Sequence, residues 1–168
     1  MTKWKKTVMA LAATTGLAAG GLQPGMKAPG FSTQDQNGGT ISLVDYQGKS
    51  NVVLYFYPKD DTPGCTAEAC SLRDGYEAIQ ATGAVVLGVS ADDVKSHAAF
   101  AAKFSLPFSL LADPEHKIIE AYGVKMPMMN MAKRWTFLID RQGLIRHIVQ
   151  DVKTQEHDKQ VLELLKGM

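Results

Sequence analysis

The sequence has few cysteines, two in 168 residues, and no excess of either charge. Two cysteines cannot form a disulfide-dense scaffold, and a structural zinc site needs more ligands of this kind. With 18 basic and 17 acidic residues the formal net charge is +1, which gives no reason to expect nucleic acid as a partner. There is no internal repeat, so the length indicates one domain with a core of its own.

Histidine is also scarce, and its positions show no pattern of metal ligands. We expect these side chains to lie on the surface or on helix faces, with no metal bound. The four are His97, His116, His147 and His157.

Residues 1–21 have the layout of an export signal. The basic start MTKWKK precedes TVMALAATTGLAAGG, which carries no charge and is rich in small residues. This apolar part is short for a membrane span, which takes about 20 residues. We expect cleavage near Ala19–Gly21, a mature domain over 22–168 and a periplasmic or otherwise exported protein. The alternative is a cytoplasmic protein with an N-terminal extension.

Two continuous apolar runs predict buried strands. They are NVVLYFYP, residues 51–58, and AVVLGVSA, residues 84–91. Residues 64–83 between them have helical composition and end near a glycine. Strand, helix and strand in this order predict a parallel βαβ unit.

The remaining elements complete a thioredoxin-like α/β fold, with a central mixed sheet flanked by helices and an N-terminal β-hairpin extension. Asp92 or Asp93 should cap a second helix, and Asp113 should cap a third with Pro114 at its first position. Other segments predict a hairpin turning at residues 37–39, a strand at 106–113, a hairpin of strands at 134–140 and 144–150, and an amphipathic helix at 153–168.

Methionine is concentrated in the segment Met126–Met131, where four occur without a clear period. The plainer interpretation is a loop that covers apolar surface, because methionine fills irregular space well. The sharper alternatives are a docking site for substrate and a site for Cu(I), which thioethers can bind.

Cys65 stands where the first buried strand gives way to a helix. Backbone N–H groups and the positive end of the helix dipole stabilise an anion there, so we expect a reactive thiolate. Thr62 precedes it by three residues, and its hydroxyl can turn toward the sulfur or a bound oxygen substrate.

Cys70 follows on the same predicted helix. Five helical residues advance about 7.5 Å and turn about 500°, so the two side chains point apart. A disulfide needs Cα atoms within about 7 Å, so the helix must unwind if the pair is to join. A static structural disulfide remains an alternative, although so small a loop stabilises little. A thioredoxin-type redox motif has C-x-x-C spacing, whereas the spacing here is C-x-x-x-x-C.

The segment YPKDDTPGCTAEAC resembles the active-site segment of the peroxiredoxins, specifically their bacterioferritin-comigratory or peroxiredoxin Q subfamily. The matching positions are Pro58, Thr62 and Cys65, followed by Cys70 as the subfamily's second cysteine. RWTFLID resembles a later strand of the family, whose arginine would be Arg134. The similarity runs from about residue 22 to the last helix.

The resemblance implies a thiol-dependent peroxidase that reduces hydrogen peroxide and alkyl hydroperoxides. Cys65 would be the peroxidatic cysteine, which becomes a sulfenic acid, and Cys70 the resolving cysteine, which closes an intramolecular disulfide. Thioredoxin or a thioredoxin-like protein would re-reduce that disulfide, and no metal, haem or flavin cofactor is required. Arg134 would favour the thiolate and orient the peroxide, and Pro58 would shape the turn and shield the sulfur.

Two features bear on how far the resemblance extends. Gly30 replaces the acidic residue usual in the family, and an export signal departs from the cytosolic location of most members. A periplasmic product would take electrons from a membrane-fed thioredoxin-like protein, and the lack of a long C-terminal extension favours a monomer. The rival functions are a thiol–disulfide oxidoreductase or chaperone acting on proteins, and a binding module with a structural disulfide.

Overall fold

The computed structural model describes residues 21–168, which form seven strands and five α-helices. The strands are β1 (Ser32–Gln34), β2 (Thr40–Ser42), β3 (Asn51–Phe56), β4 (Ala84–Ser90), β5 (Ser109–Ala112), β6 (Thr136–Ile139) and β7 (Ile145–Val149). The helices are α1 (Pro63–Asp74), α2 (Tyr76–Ala81), α3 (Val94–Phe104), α4 (Lys117–Ala121) and α5 (His157–Leu165), and 3-10 turns cover Leu43–Tyr46 and Thr154–Glu156.

Five strands form one mixed sheet in the order β5-β4-β3-β6-β7. β3, β4 and β5 run parallel, whereas β6 and β7 are antiparallel to their neighbours. β1 and β2 form a separate antiparallel hairpin, with Gly38 at a φ of +75° in its turn. The predicted thioredoxin-like α/β arrangement, with helices on both faces and a hairpin at the front, is confirmed.

The central strand β3 divides the core into two layers, because its side chains alternate between the faces of the sheet. Val53 and Tyr55 pack with buried residues of α1, α2, α3 and α5. Leu54 and Phe56 pack on the other face with residues of α4 and of the N-terminal segment. All six residues of β3 are buried, as its continuous apolar sequence predicts.

The helix predicted for residues 64–83 is instead two helices that break at Gly75. A Cβ at Gly75 would lie 2.5 Å from Asp158 Cβ, because α5 packs directly on this point. Ser71 Oγ donates to Asp158 Oδ1 at 2.8 Å and accepts from the Asp158 N–H at 3.1 Å. The break comes from tertiary packing, which the composition of the segment does not reveal.

The third predicted helix was placed too early. α4 begins at Lys117, after His116 with a φ of +59°, so Pro114 is not at its first position. Asp113 does serve the helix, because its Oδ2 accepts the N–H of Ile119 at 2.8 Å. Asp93 caps α3 as expected, with its side chain accepting from the Ser96 N–H.

Two sequence interpretations need correction at single residues. His97 and His157 are fully buried, whereas surface positions were among those expected for them. Met128 and Met129 project into solvent and do not cover the core.

No helix among residues 21–168 has both the length and the apolar character needed to cross a membrane. The expected export signal lies, except for its last residue, outside the described residues.

Candidate active site

Cys65 lies in the first turn of α1, directly after the turn that leaves β3. Thr62 is the N-cap and Pro63 the first helical residue. The cysteine is buried, with 1% of its surface exposed. Backbone N–H groups of a first turn and the positive end of the helix dipole stabilise negative charge at such a position.

The turn before Cys65 is fixed by Asp60, whose side chain is buried. Its Oδ1 accepts from the Tyr57 hydroxyl at 2.6 Å, and its Oδ2 accepts from Ser96 Oγ at 2.8 Å and lies 2.7 Å from His97 Nδ1. The Asp60 N–H donates to Asp92 Oδ2 at 2.9 Å. These contacts tie the turn to α3 and to the end of β4, so the position of α1's first turn is well determined.

Arg134 joins Cys65 to a second residue of the same helix. Its Nη2 lies 3.4 Å from Cys65 Sγ, and its Nη1 donates to Glu68 Oε2 at 2.5 Å. A Cβ on Gly64 would lie 3.0 Å from Nη2, so a glycine here permits the close approach of the guanidinium. Burial opposes the charge of Arg134, but Glu68 and Cys65 together raise its pKa above the ordinary value.

The register of the sheet explains how Arg134 reaches this place. Thr136 of β6 pairs with Tyr55 of β3, and the Phe56 N–H donates to the Trp135 carbonyl at 2.8 Å. Arg134 therefore lies just beyond the paired strands, at the edge where β3 leads into the Cys65 turn. Antiparallel pairing of distant segments brings the two residues together.

Glu68 is fully buried beside the guanidinium. Burial raises its pKa to about 7, although the charge of Arg134 and its hydrogen bond act in the opposite direction. Glu68 Oε1 lies 3.8 Å from His157 Nε2 and has no hydrogen-bond partner within residues 21–168. The site thus contains a carboxyl group that takes up a proton near neutral pH.

Cys70 lies on the same helix and is partly buried, and both thiols are free. Continuous helix from Pro63 to Asp74 holds the two cysteines on different faces. A disulfide between them therefore needs part of α1 to unwind. Contacts that oppose unwinding include the hydrogen bond from Arg134 to Glu68 and the hydrogen bonds between Ser71 and Asp158.

The other two predicted site residues occupy the turn. The Thr62 hydroxyl donates to the Lys59 carbonyl at 2.8 Å. Its oxygen retains lone pairs that can accept a hydrogen bond. Pro58 borders a groove of about 170 Å³ that is also lined by Asn130 and Met131. The methionine segment therefore lies beside the turn that carries the candidate site.

Sequence reasoning missed Glu68 and His157. Glu68 could have been found, because it follows Cys65 by three residues and such residues share a helix face. His157 gives no comparable signal, since it reaches the site only through the packing of α5 on α1.

The comparisons with known proteins agree on one family. Residues 24–148 match the model of the AhpC/TSA family. The chain is 43% identical over 153 residues to peroxiredoxin Bcp of Bacillus subtilis, covering 88% of this chain and 97% of that one. It is 40% identical over 159 residues to chloroplastic peroxiredoxin Q of Triticum aestivum, covering 94% and 73%. The crystal structure of peroxidoxin BcpB from Mycobacterium tuberculosis matches with a TM-score of 0.81 at 30% identity, covering 88% and 98%.

Proposed function

Because the chain belongs to the AhpC/TSA family and is a thiol-dependent peroxidase of the peroxiredoxin Q/Bcp type, we propose that Cys65 is its peroxidatic cysteine. The Cys65 thiolate attacks one oxygen of the peroxide, an S–O bond forms and the O–O bond breaks. The sulfur is oxidised to a sulfenic acid. The leaving hydroxide or alkoxide takes up a proton and departs as water or alcohol.

The observation that carries this assignment is the contact of Arg134 Nη2 with Cys65 Sγ at a helix N-terminus. A fixed positive charge and backbone N–H groups stabilise the attacking thiolate. The same donors can stabilise charge that develops on the leaving oxygen. Cys70 has no comparable environment, because it lies in the second half of α1, away from the helix start.

Cys70 serves as the resolving cysteine in this scheme. Its thiolate attacks the Cys65 sulfenic sulfur, an S–S bond forms, and hydroxide leaves and is protonated to water. The step follows local unwinding of α1. As in its family, a thioredoxin-type dithiol then reduces the disulfide and returns both thiols.

Thr62 and Pro58 have supporting roles. Thr62 fixes the turn through the Lys59 carbonyl, and its free lone pairs can accept a hydrogen bond from the peroxide. Pro58 limits the access of water to the turn, and Met131 adds apolar surface beside it.

The mature domain in this scheme is residues 22–168, and it acts as a monomer. Gly30 is exposed, and no atom would lie within 4 Å of a Cβ added there, so the replacement of the family's acidic residue by glycine is tolerated.

The experiment is a count of free thiols after reduced protein is mixed with one equivalent of hydrogen peroxide. Both thiols of the parent should be lost within seconds, and Cys65→Ser should keep its one remaining thiol, that of Cys70. Cys70→Ser should consume one peroxide and then stall as sulfenic acid or oxidise further. Slow loss in the parent, with fast exchange against protein disulfides, would assign the chain to the rival oxidoreductase function. If Cys70→Ser turns over at the parent rate with the same donor, the resolving role is wrong.

The compartment is tested separately. N-terminal sequencing of the protein from its native cell should find a start near residue 22 if the chain is exported. An intact N-terminus in the cytosolic fraction contradicts export and points to a cytosolic thioredoxin as the donor.

A further inference from the structure

The buried site around Arg134 has one positive charge and two acids. Cys65 is 1% exposed and Glu68 is 0% exposed, and each has an atom against the guanidinium. If both acids were ionised, the site would hold one uncompensated negative charge out of water, which is costly. One proton therefore has to be bound near Arg134, and the catalytic state depends on which acid holds it.

The hydrogen bonds of His157 determine which of its nitrogens can accept. Gln160 Nε2 donates to the Asp151 carbonyl at 3.0 Å, and Gln160 Oε1 accepts from the Lys153 N–H at 2.9 Å, so the amide orientation is fixed. Oε1 also lies 2.9 Å from His157 Nδ1, which must therefore donate to it. In neutral His157 the acceptor is Nε2, which accepts a hydrogen bond from the Thr136 hydroxyl at 2.8 Å.

That acceptor lies next to the unpartnered atom of Glu68. Oε1 and Nε2 are 3.8 Å apart, so a protonated Oε1 can donate to Nε2 once a rotation closes about 0.8 Å and the Thr136 hydroxyl turns away from the nitrogen's one lone pair. A proton on Oε1 leaves Oε2 free to keep its hydrogen bond from Arg134 Nη1. The carboxyl group can therefore become neutral without disturbing the guanidinium that contacts Cys65.

We propose, building on the peroxidatic role of Cys65, that Glu68 and His157 form a proton-binding pair that keeps the site's one proton away from the sulfur. While the pair holds this proton, the charge of Arg134 acts on the Cys65 thiolate alone. Glu68 and His157 are thus positioning residues, since they act through Arg134 and do not touch the peroxide.

The titration of the surrounding groups is consistent with this arrangement. Burial raises the pKa of Glu68 to about 7, and burial lowers the pKa of His157, so near neutrality the carboxyl group takes up the proton and the imidazole accepts from it. Tyr55 of β3 also faces Glu68, but burial raises its pKa well above 10 and it stays neutral.

The remaining groups that face the pair come from three elements. Arg134, before β6, opposes a proton on His157, and Asp158 of α5 favours one. Thr136 of β6 is uncharged. On α1 itself the other ionisable groups that act on Tyr55 are the two cysteines.

The test follows the thiolate absorbance of Cys65 against pH in a Cys70→Ser background, where no other thiol is present. Glu68→Gln copies the protonated carboxyl group, because its amide oxygen can accept from Arg134 and its amide nitrogen can donate to His157 Nε2. The half-titration point should therefore stay where it is in the reference. If the half-titration point of Cys65 is lower by one pH unit or more in Glu68→Gln, Glu68 was ionised beside a protonated thiol in the reference. That result would overturn the proposal.

His157→Phe should shift the titration of Cys65, whereas Glu68→Gln should not. The substitution removes the acceptor nitrogen and keeps a ring of similar size. Glu68 then holds the proton less well, so the half-titration point should rise by about one pH unit, which is tenfold less thiolate on the acid side. Adding Glu68→Gln to His157→Phe should restore the reference value. A purely structural effect of His157→Phe would persist in the double variant. His147→Phe, the same exchange on β7, is the matched control and should not shift the titration.

Infrared difference spectra between pH 6 and pH 8 give a second measurement. The carbonyl band of a protonated carboxyl group should appear at pH 6 and be absent in Glu68→Gln, and its absence in the reference contradicts the proposal.

Peroxide consumption by Cys70→Ser distinguishes failure of the proposed function from failure of the proton-binding pair. If Cys65 is not oxidised at all, the proposed function fails, whereas normal oxidation with a shifted Glu68→Gln titration defeats only the proton-binding pair.

Discussion

Arg134 donates a hydrogen bond to Glu68 in which the carboxyl group is fully buried and the guanidinium is about one quarter exposed, with 2.5 Å between Nη1 and Oε2. The pair crosses from the start of β6 to the helix that carries both cysteines. Because Arg134 also contacts Cys65, one side chain links the reactive sulfur, the helix that must unwind and the sheet.

Replacing Arg134 by alanine should impair both reactivity and stability. The rate of peroxide attack should fall by about 10²–10³-fold, as for the loss of a preorganised donor. The free energy of unfolding should fall by about 1–3 kcal/mol, because Glu68 Oε2 loses its partner in the interior. Stopped-flow oxidation and urea unfolding measure the two effects. Arg141→Ala, at an exposed turn, is the control, and an unchanged second-order rate in Arg134→Ala removes the residue from the site.

The pH dependence of stability should reveal Glu68. Burial raises its folded pKa from 4.5 to about 7, so folding binds a proton between these values. This contribution to stability is complete below the unfolded pKa and is lost as the pH rises through 7. Glu68→Gln lacks it, so its stability relative to the parent should increase by about 2–3 kcal/mol between pH 5 and pH 8.

His157 affects the same measurement in the opposite sense. Burial lowers its pKa, so its contribution is lost as the pH falls below 6.5. It is present in both proteins and largely cancels from their difference. Denaturant titrations at several pH values supply the data, and a pH-independent difference between the two proteins contradicts a raised Glu68 pKa.

Ser71→Ala should accelerate formation of the disulfide. The substitution removes both hydrogen bonds between Ser71 and Asp158, so the half of α1 that carries Cys70 is held less firmly. Easier unwinding shortens the life of the Cys65 sulfenic acid, and less protein should be over-oxidised to sulfinic acid at a given peroxide dose. Mass spectrometry after a peroxide series measures this fraction. Ser32→Ala, on exposed β1, should match the parent, and equal over-oxidation in Ser71→Ala argues against unwinding as the limiting step.

Gly75→Ala should destabilise the protein by displacing α5. The backbone conformation at Gly75, with a φ of −91°, is open to alanine, so the cost comes from the clash of the new Cβ with Asp158. Overpacking of this kind costs about 1–3 kcal/mol. Gly30→Ala is the matched control, because no atom lies within 4 Å of its added Cβ. Equal free energies of unfolding for Gly75→Ala and Gly30→Ala would show that α5 shifts to accommodate the added methyl group without loss of stability.

The sequence alone determined the order of the elements and the place of the reactive cysteine. Continuous apolar runs specified β3 and β4, and turn-forming residues before Cys65 placed it at a helix start, because these signals act between near neighbours along the chain. Local patterns also indicated the hairpins and α5.

The tertiary structure decided what surrounds the sulfur. The pairing of Thr136 with Tyr55 brings Arg134 to Cys65, and the packing of α5 on α1 breaks the helix at Gly75 and brings His157 to Glu68. Contacts of this kind depend on register and packing between segments far apart in sequence, so no local pattern encodes them. The resemblance to a family located Arg134 in advance, but the buried acid and its histidine became visible only once the helices were packed on the sheet.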